Sequence, residues 1–373
     1  MAPSSSYRLR RSRAVVVAWA EPPLVVHVPS GAAASADEAT LAILGAADAW
    51  VEAEHLLTAL GDRFLRAEVG RAMLRLVDLG ALVVEGADEA EGAFAERWPW
   101  GLGAAHFHFG IKNARYQQPA VVARWMEARV ASTAQPPAWA SNQGRSSIVA
   151  LPDPGASPLL DLLARRRSDR GFDPAAPLPL EQLADCLFSG CGITAFAATP
   201  IPGEQELPLG VTPSGGARNP YEAFVAARHV AGLETGWYHY AGVDHDLGRL
   251  PGPLAPLSQY LGEQAWFDGA AALIVLVARF ARSAFKYQHP GALRVVLLEA
   301  GHIAQNVLLV ATAHGLAAAP TCALSDRAIE AALALDPIAE AAIYAIALGP
   351  RSGRPSEADL TTTRPNPRYR GRG

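Results

Sequence analysis

Phe285-Lys286-Tyr287, then Arg294, then Leu298-Glu299-Ala300-Gly301-His302-Ile303-Ala304-Gln305-Asn306 is the stretch whose reading decides how this chain folds. It follows residues 271–279, a continuous apolar run of the kind a central buried strand needs. Lysine beside tyrosine places two proton-transfer groups on adjacent positions just past that strand. A lysine can be lowered in pKa by burial or a neighbouring cation, and a tyrosine can donate to or accept from a developing charge. Glu299, His302 and Asn306 recur at spacings of three and four and so share one helical face. A polar stripe inside an apolar helix must find partners if it is buried. Capping against a neighbouring element is the plainer account of that stripe.

Around this stretch, helix and strand patterns alternate. Helices are expected over 159–166 and 180–189, the second introduced by Pro179, and a long one over 299–314. Strands are expected over 224–228, 237–240, 271–279 and 342–348. The pattern predicts an α+β or α/β domain filling residues 158–373.

Two further constellations lie in that domain. Arg165-Arg166-Arg167-Ser168-Asp169-Arg170-Gly171-Phe172 ends the first helix. Guanidiniums beside a hydroxyl can hold a phosphate through bidentate, permanently charged donors, although charged helix ends are common surface features. Pro213-Ser214-Gly215-Gly216-Ala217-Arg218-Asn219-Pro220-Tyr221 pairs two glycines, which let backbone approach a flat ligand, with hydrogen-bonding Ser214 and Asn219. No Lys-Ser/Thr follows, so this is not a phosphate-binding P-loop. The third glycine of a dinucleotide fingerprint is also missing.

Residues 1–97 read differently. Short strands are expected around a Pro-Pro turn in 14–28, followed by a helix capped by Asp37 and running through Ala46, and a second helix over 51–60. A third begins near Arg63, carries Leu65, Val69, Met73, Leu76 and Val77 on one face, and ends at Gly80 before an apolar strand over 81–85. Three helices and a strand are the outline of a winged-helix module. Acidic residues outnumber basic ones in the first hundred positions, and the arginines of the third helix spread around it, so nucleic acid is not the expected partner. Residues 98–157 form an aromatic connection and linker, the linker proper over 131–157. His106 and His108 alternate on what reads as a strand and could face one side, but no third metal ligand stands near them, so no metal is expected.

At 373 residues, two domains are the natural prior. The net charge of −4 gives no electrostatic reason to expect nucleic acid. Lys112 and Lys286 are the only lysines in an arginine-rich background. Cys186, Cys191 and Cys322 lack zinc-type spacing and read as buried thiols in a reducing compartment. The run from Ala14 is too short for a signal peptide, and Glu299, His302, Gln305 and Asn306 interrupt the apolar stretch 295–319, so neither export nor a membrane span is expected and the cytoplasm is the default.

Taken in this order and spacing, the three constellations resemble the nitroreductase-like flavoproteins, and specifically the SagB-type dehydrogenases that oxidise azolines in modified peptides. The likeness covers residues 158–351. It rests on Arg166 to Phe172, Pro213 to Pro220, Lys286-Tyr287 and Leu298 to His302. Gly215 stands where that group usually has alanine, and residues 317–324 depart from its usual glycine-rich segment. The resemblance implies an α+β nitroreductase-like fold with an N-terminal winged-helix-like module, and a homodimer whose two FMN pockets are each built from both subunits. It assigns Arg166, Arg167, Ser168, Arg170, Pro213, Ser214, Gly215, Gly216, Asn219, Arg294, Thr321, Cys322 and Arg351 to the cofactor, and proton transfer to Lys286 and Tyr287. The implied reaction oxidises thiazoline or oxazoline to azole in a ribosomally made peptide, with a cyclodehydratase as a partner. A reductase of nitro, quinone or dehydroamino-acid groups using NAD(P)H would share the flavin-binding residues. A non-catalytic peptide-binding partner protein is the third alternative.

Overall fold

The computed structural model describes residues 7–114, 116–138, 149, 151–152 and 154–354. Its centre is one antiparallel sheet in the order β11-β10-β9-β12-β14-β13. These strands are β9 (Tyr221–Ala227), β10 (Gly236–Ala241), β11 (Asp246–Arg249), β12 (Ala272–Arg279), β13 (Ala317–Thr321) and β14 (Glu340–Gly349). Strand β12 is the unbroken apolar run 271–279, and it is hydrogen-bonded to β9 on one side and β14 on the other. Its residues face cores on both sides, which is why apolar residues are unbroken there and do not alternate. Ile274, Leu276 and Ala278 face one core with Val225 and Ala227. Leu273, Val275 and Val277 face the other with Phe224 and Trp237. The antiparallel pairing throughout makes the domain α+β.

Two helices cover the first face, α8 (Leu180–Cys191) and α10 (Ala292–Ala313), and α11 (Asp326–Leu333) covers the second with short 3-10 turns at Leu257–Tyr260 and Ala265–Gly269. Helix α10 begins seven residues before the expected start at 299. Gly291 precedes its first turn, and Leu293 and Val296 already lie on the buried face that Ala300, Ile303 and Val307 continue. It is long and apolar enough to cross a membrane by length and composition, yet that buried face packs on α8 and the sheet. The remaining pieces are α7 (Pro158–Arg165), α9 (Phe280–Lys286) and the hairpin of β7 (Ile193–Ala197) and β8 (Leu207–Gly210).

The N-terminal part has its own core. Strand β1 (Arg8–Arg11) lies between β5 (Val51–Glu52) and β6 (Leu82–Val84), while β2 (Val15–Ala18), β3 (Leu24–His27) and β4 (Ala32–Ser35) form a separate meander. Helices α1 (Glu38–Ala46), α2 (Ala53–Ala59) and α3 (Arg66–Leu79) close over Leu9, Ile43, Leu56, Val69, Met73 and Leu82. Asp37 caps α1 by accepting from Thr40 N at 2.8 Å, and Gly80 ends α3 at φ 81°, as their residue types demand. The second helix starts later than 51 because Val51–Glu52 pairs with β1.

Two helices lie in this stretch, α5 (Gly101–Gly110) and α6 (Pro119–Ser132), with α4 (Glu89–Arg97) before them. This corrects the strand expected at His106 and His108. Two residues apart on a helix they point to different faces: His108 is buried and stacked on Trp98, and His106 is half-buried. Among the described residues no group of three or more His, Cys, Asp or Glu could hold a metal. Phe94, Trp98, Trp100, Ala105 and Phe109 pack into the main core and do not merely cross a surface. The expected linker 131–157 lies largely outside the described residues.

Candidate active site

The glycine-paired loop leaves β8, turns through a 3-10 element at Gly215–Ala217 and enters β9. Gly216 sits at φ 61°, Ala217 at 53° and Asn219 at 43°, left-handed backbone that costs an L-residue free energy. Several hydrogen bonds keep it there. Asn219 N donates to Ser214 Oγ at 2.9 Å, and Asn219 Nδ2 donates to Pro208 O at 2.7 Å. Gly215 N donates to Glu299 Oε1 at 2.7 Å, and Arg282 Nη1 donates to Asn219 O at 3.0 Å. The Asn219 amide is therefore used within the loop.

Glu299 is buried on α10. Burial pushes its carboxyl up, while the N–H of Gly215 pulls the other way. Asn306, two turns on, donates from Nδ2 to Ser189 O and Thr212 Oγ1 at 3.1 Å each. The polar face read from spacing thus divides: Glu299 and Asn306 anchor neighbouring backbone, and His302 is exposed.

Helix α9 continues directly from β12 and delivers Lys286 as its last residue, with Tyr287 as the cap. Both side chains converge on the loop. A Cβ added at Gly216 would stand 2.6 Å from Lys286 Nζ and 2.9 Å from Tyr287 Oη. The ammonium also lies 5.5 Å from the centre of the Tyr287 ring, within cation–π range. Lys286 is exposed and Tyr287 half-buried. Behind the loop is a cavity of about 300 Å³, lined among others by Cys191, Ile193, Ser214, Asn219, Tyr240 and Glu299. Burial pushes the Cys191 thiol and the Tyr240 phenol up to about 12, so both stay neutral near pH 7. Cys322, expected as a buried thiol, is exposed.

The arginine cluster is built elsewhere. Arg167 Nη1 donates back to Ala164 O and Arg166 O at 2.9 and 2.7 Å. Asp169 N donates to Ala318 O at 2.9 Å, and Asp169 Oδ2 pairs with Arg351 Nε at 2.8 Å. Arg170 lies over Trp266 at 5.0 Å, and Phe172 bridges Arg351. Arg166, Arg167, Ser168, Arg170 and Arg351 are thereby gathered where β14 ends and β13 begins. Thr321 closes β13 and accepts from Ala323 N at 2.9 Å, and Cys322 O accepts from Tyr116 Oη at 2.6 Å. Arg294 is exposed on the first turn of α10.

Most of the expected site residues therefore form two groups, while Thr321 and Cys322 lie level with the middle of β12, outside both. Ala272, at the start of β12, pairs with Leu348 beside the arginine cluster, whereas Ala278 pairs with Tyr221 beside the loop. Six residues of strand, about 20 Å, separate these pairs along the sheet. Sequence reading placed Trp100 and Tyr116 only in the aromatic connection, with no part in the site, and gave Arg282 no role. A charge on an apolar helix face was the signal that drew attention to Glu299.

Residues 163–350 match the Nitroreductase family. A Methanocaldococcus jannaschii protein named as a nitroreductase is 31% identical over 194 residues, 50% of this chain and 89% of its own length. The trifolitoxin-processing protein TfxB of Rhizobium leguminosarum bv. trifolii is 32% identical over 139 residues, 36% of this chain and 37% of its own length. Among solved structures, one from Ralstonia eutropha, also named as a nitroreductase, is similar at 25% identity and a TM-score of 0.43, covering 55% of this chain and 89% of that one.

Proposed function

The chain belongs to the nitroreductase family of oxidoreductases, and from that premise we propose that it is an FMN-dependent dehydrogenase of the SagB type, oxidising thiazoline or oxazoline rings to azoles in a ribosomally made peptide. The observation that carries this reading is the convergence of Lys286 Nζ and Tyr287 Oη on the Gly216 backbone.

The residues present fit FMN. Arg166, Arg167, Arg170 and Arg351, offset by the single carboxylate of Asp169, leave a cationic cluster suited to a phosphate dianion, with Ser168 as a further donor. The space that a Cβ at Gly216 would fill lets backbone and the Lys-Tyr pair meet one face of a flat ring. The two fittings stand at opposite ends of β12, six residues of strand apart, and a homodimer in which each pocket takes one end from each subunit would bring such separated groups to one cofactor. Bound FMN supplies the two-electron acceptor. Lys286 and Tyr287 move the ring proton at Nζ and Oη, and Glu299 and Arg282 hold the loop against which they act. The name of the Rhizobium relative, which processes trifolitoxin, supports a peptide substrate. The three helices and the sheet β5-β1-β6 of residues 8–84, which also hold the meander β2-β3-β4, suit a winged-helix-like dock for that peptide or for a partner cyclodehydratase.

Lys286→Ala and Tyr287→Phe are expected to keep bound FMN while azole formation falls about a hundred- to ten-thousand-fold. Full activity in both variants sinks the assignment. The name of the Methanocaldococcus relative favours a reductase instead. Rapid bleaching of the flavin by NADPH without peptide would establish that reading.

A further inference from the structure

Helix α9 is short, and its C-terminal carbonyls lack the donors that a longer helix would supply. The carbonyl of Tyr287, one residue past its end, would look to Gly291 N in a continuing helix, but that N–H donates to His289 Nδ1 at 3.0 Å. The donor the structure gives to Tyr287 O is the indole Nε1–H of Trp100, at 3.1 Å and 187 residues away in sequence. Trp100 is 1% exposed, so water does not substitute for it. The same indole meets Phe280, the first residue of α9, edge-on at 5.4 Å, and Trp98 and His108 complete the box around that ring at 5.4 and 5.1 Å. The helix is thus held at its first residue by three rings and just past its last by one N–H. Both holds come from the aromatic connection, outside the matched family region 163–350.

We infer that Trp100 is a positioning residue for the Lys286-Tyr287 pair, acting through the Tyr287 carbonyl. In this role it fixes the backbone from which both proton-transfer groups project, and it makes residues 94–110 part of the catalytic apparatus. The inference rests on the reading of Lys286 and Tyr287 given above.

Trp100→Phe keeps most of the ring packing and removes the N–H. In the full chain without FMN, amide hydrogen exchange across residues 283–292 is expected to rise about tenfold, the loss of one neutral hydrogen bond. Trp237→Phe, a buried indole in the opposite core, is expected to leave that segment unchanged. With FMN bound, Trp100→Phe should lower kcat for azoline oxidation about tenfold at unchanged KM and FMN content. Trp100→His, which can present a ring N–H, should recover part of both. Unchanged exchange in Trp100→Phe overturns the inference, as does a fall that Trp237→Phe reproduces. If the wild-type protein oxidises no azoline, the functional reading fails, and the exchange arm still decides the role of Trp100.

Discussion

A methyl group at Gly216 would have to share space with the Lys286 ammonium and the Tyr287 hydroxyl. Because both are ends of flexible side chains, they would give way before the backbone did. The left-handed φ of 61° adds a backbone cost of about 1–2 kcal/mol for alanine. Gly216→Ala is therefore expected to fold, with a thermal midpoint only a few degrees lower, and to lose about tenfold or more in turnover as the pair is pushed off station. Wild-type turnover in a folded Gly216→Ala protein would show that the convergence is incidental. At this scale the sequence was partly legible. Paired glycines and Lys-Tyr announced themselves by type, because few residues tolerate such backbone or carry such protons. Trp100 did not, since nothing local links it to a carbonyl 187 positions away.

Among elements, the aromatic box joining α5 to α9 gives the sharpest consequence. Burial, with a smaller contribution from Lys112, lowers the His108 pKa to about 3, so the folded protein holds this ring neutral. Its unfolded value lies near 6.5. A depressed folded pKa means that this stability is present above about pH 6.5 and is lost as pH falls towards 3. The full difference approaches 5 kcal/mol, as an order of magnitude. Thermal melts between pH 7 and 4 should show a steep acid limb that His108→Phe flattens; an equal limb in both proteins would remove His108 as its origin. The strand expected here failed because aromatic residues favour strands by propensity, whereas burial among Trp98, Phe109 and Phe280 rewarded a helix. Strands β12 and β14 were readable because both of their faces are buried and their apolar runs are unbroken. The start of α10 was missed because Pro290-Gly291 and Arg294 interrupt the pattern just where packing begins.

For the whole molecule, the division of the site between opposite ends of β12 makes a quantitative prediction. If each pocket takes Arg351 from one subunit and Lys286 from the other, Arg351→Ala and Lys286→Ala should each be inactive alone. Equal mixing with subunit exchange should then restore one intact pocket in half of the dimers, about a quarter of wild-type activity. A mixture that stays inactive, although both variants form dimers and exchange subunits, would contradict the shared pocket. No pattern along one chain could have revealed this separation, because the sequence lists both groups and only the strand pairing sets them apart. The same pairing has a consequence for synthesis. Asp169 and Arg351 clasp across nearly the whole matched region, so the arginine cluster cannot take shape until β14 and Arg351 have left the ribosome. At translation rates of about 5–20 residues per second, that interval is roughly 10–35 seconds. The growing chain passes it with its arginines unassembled, so cofactor loading is deferred until β14 and Arg351 have been made.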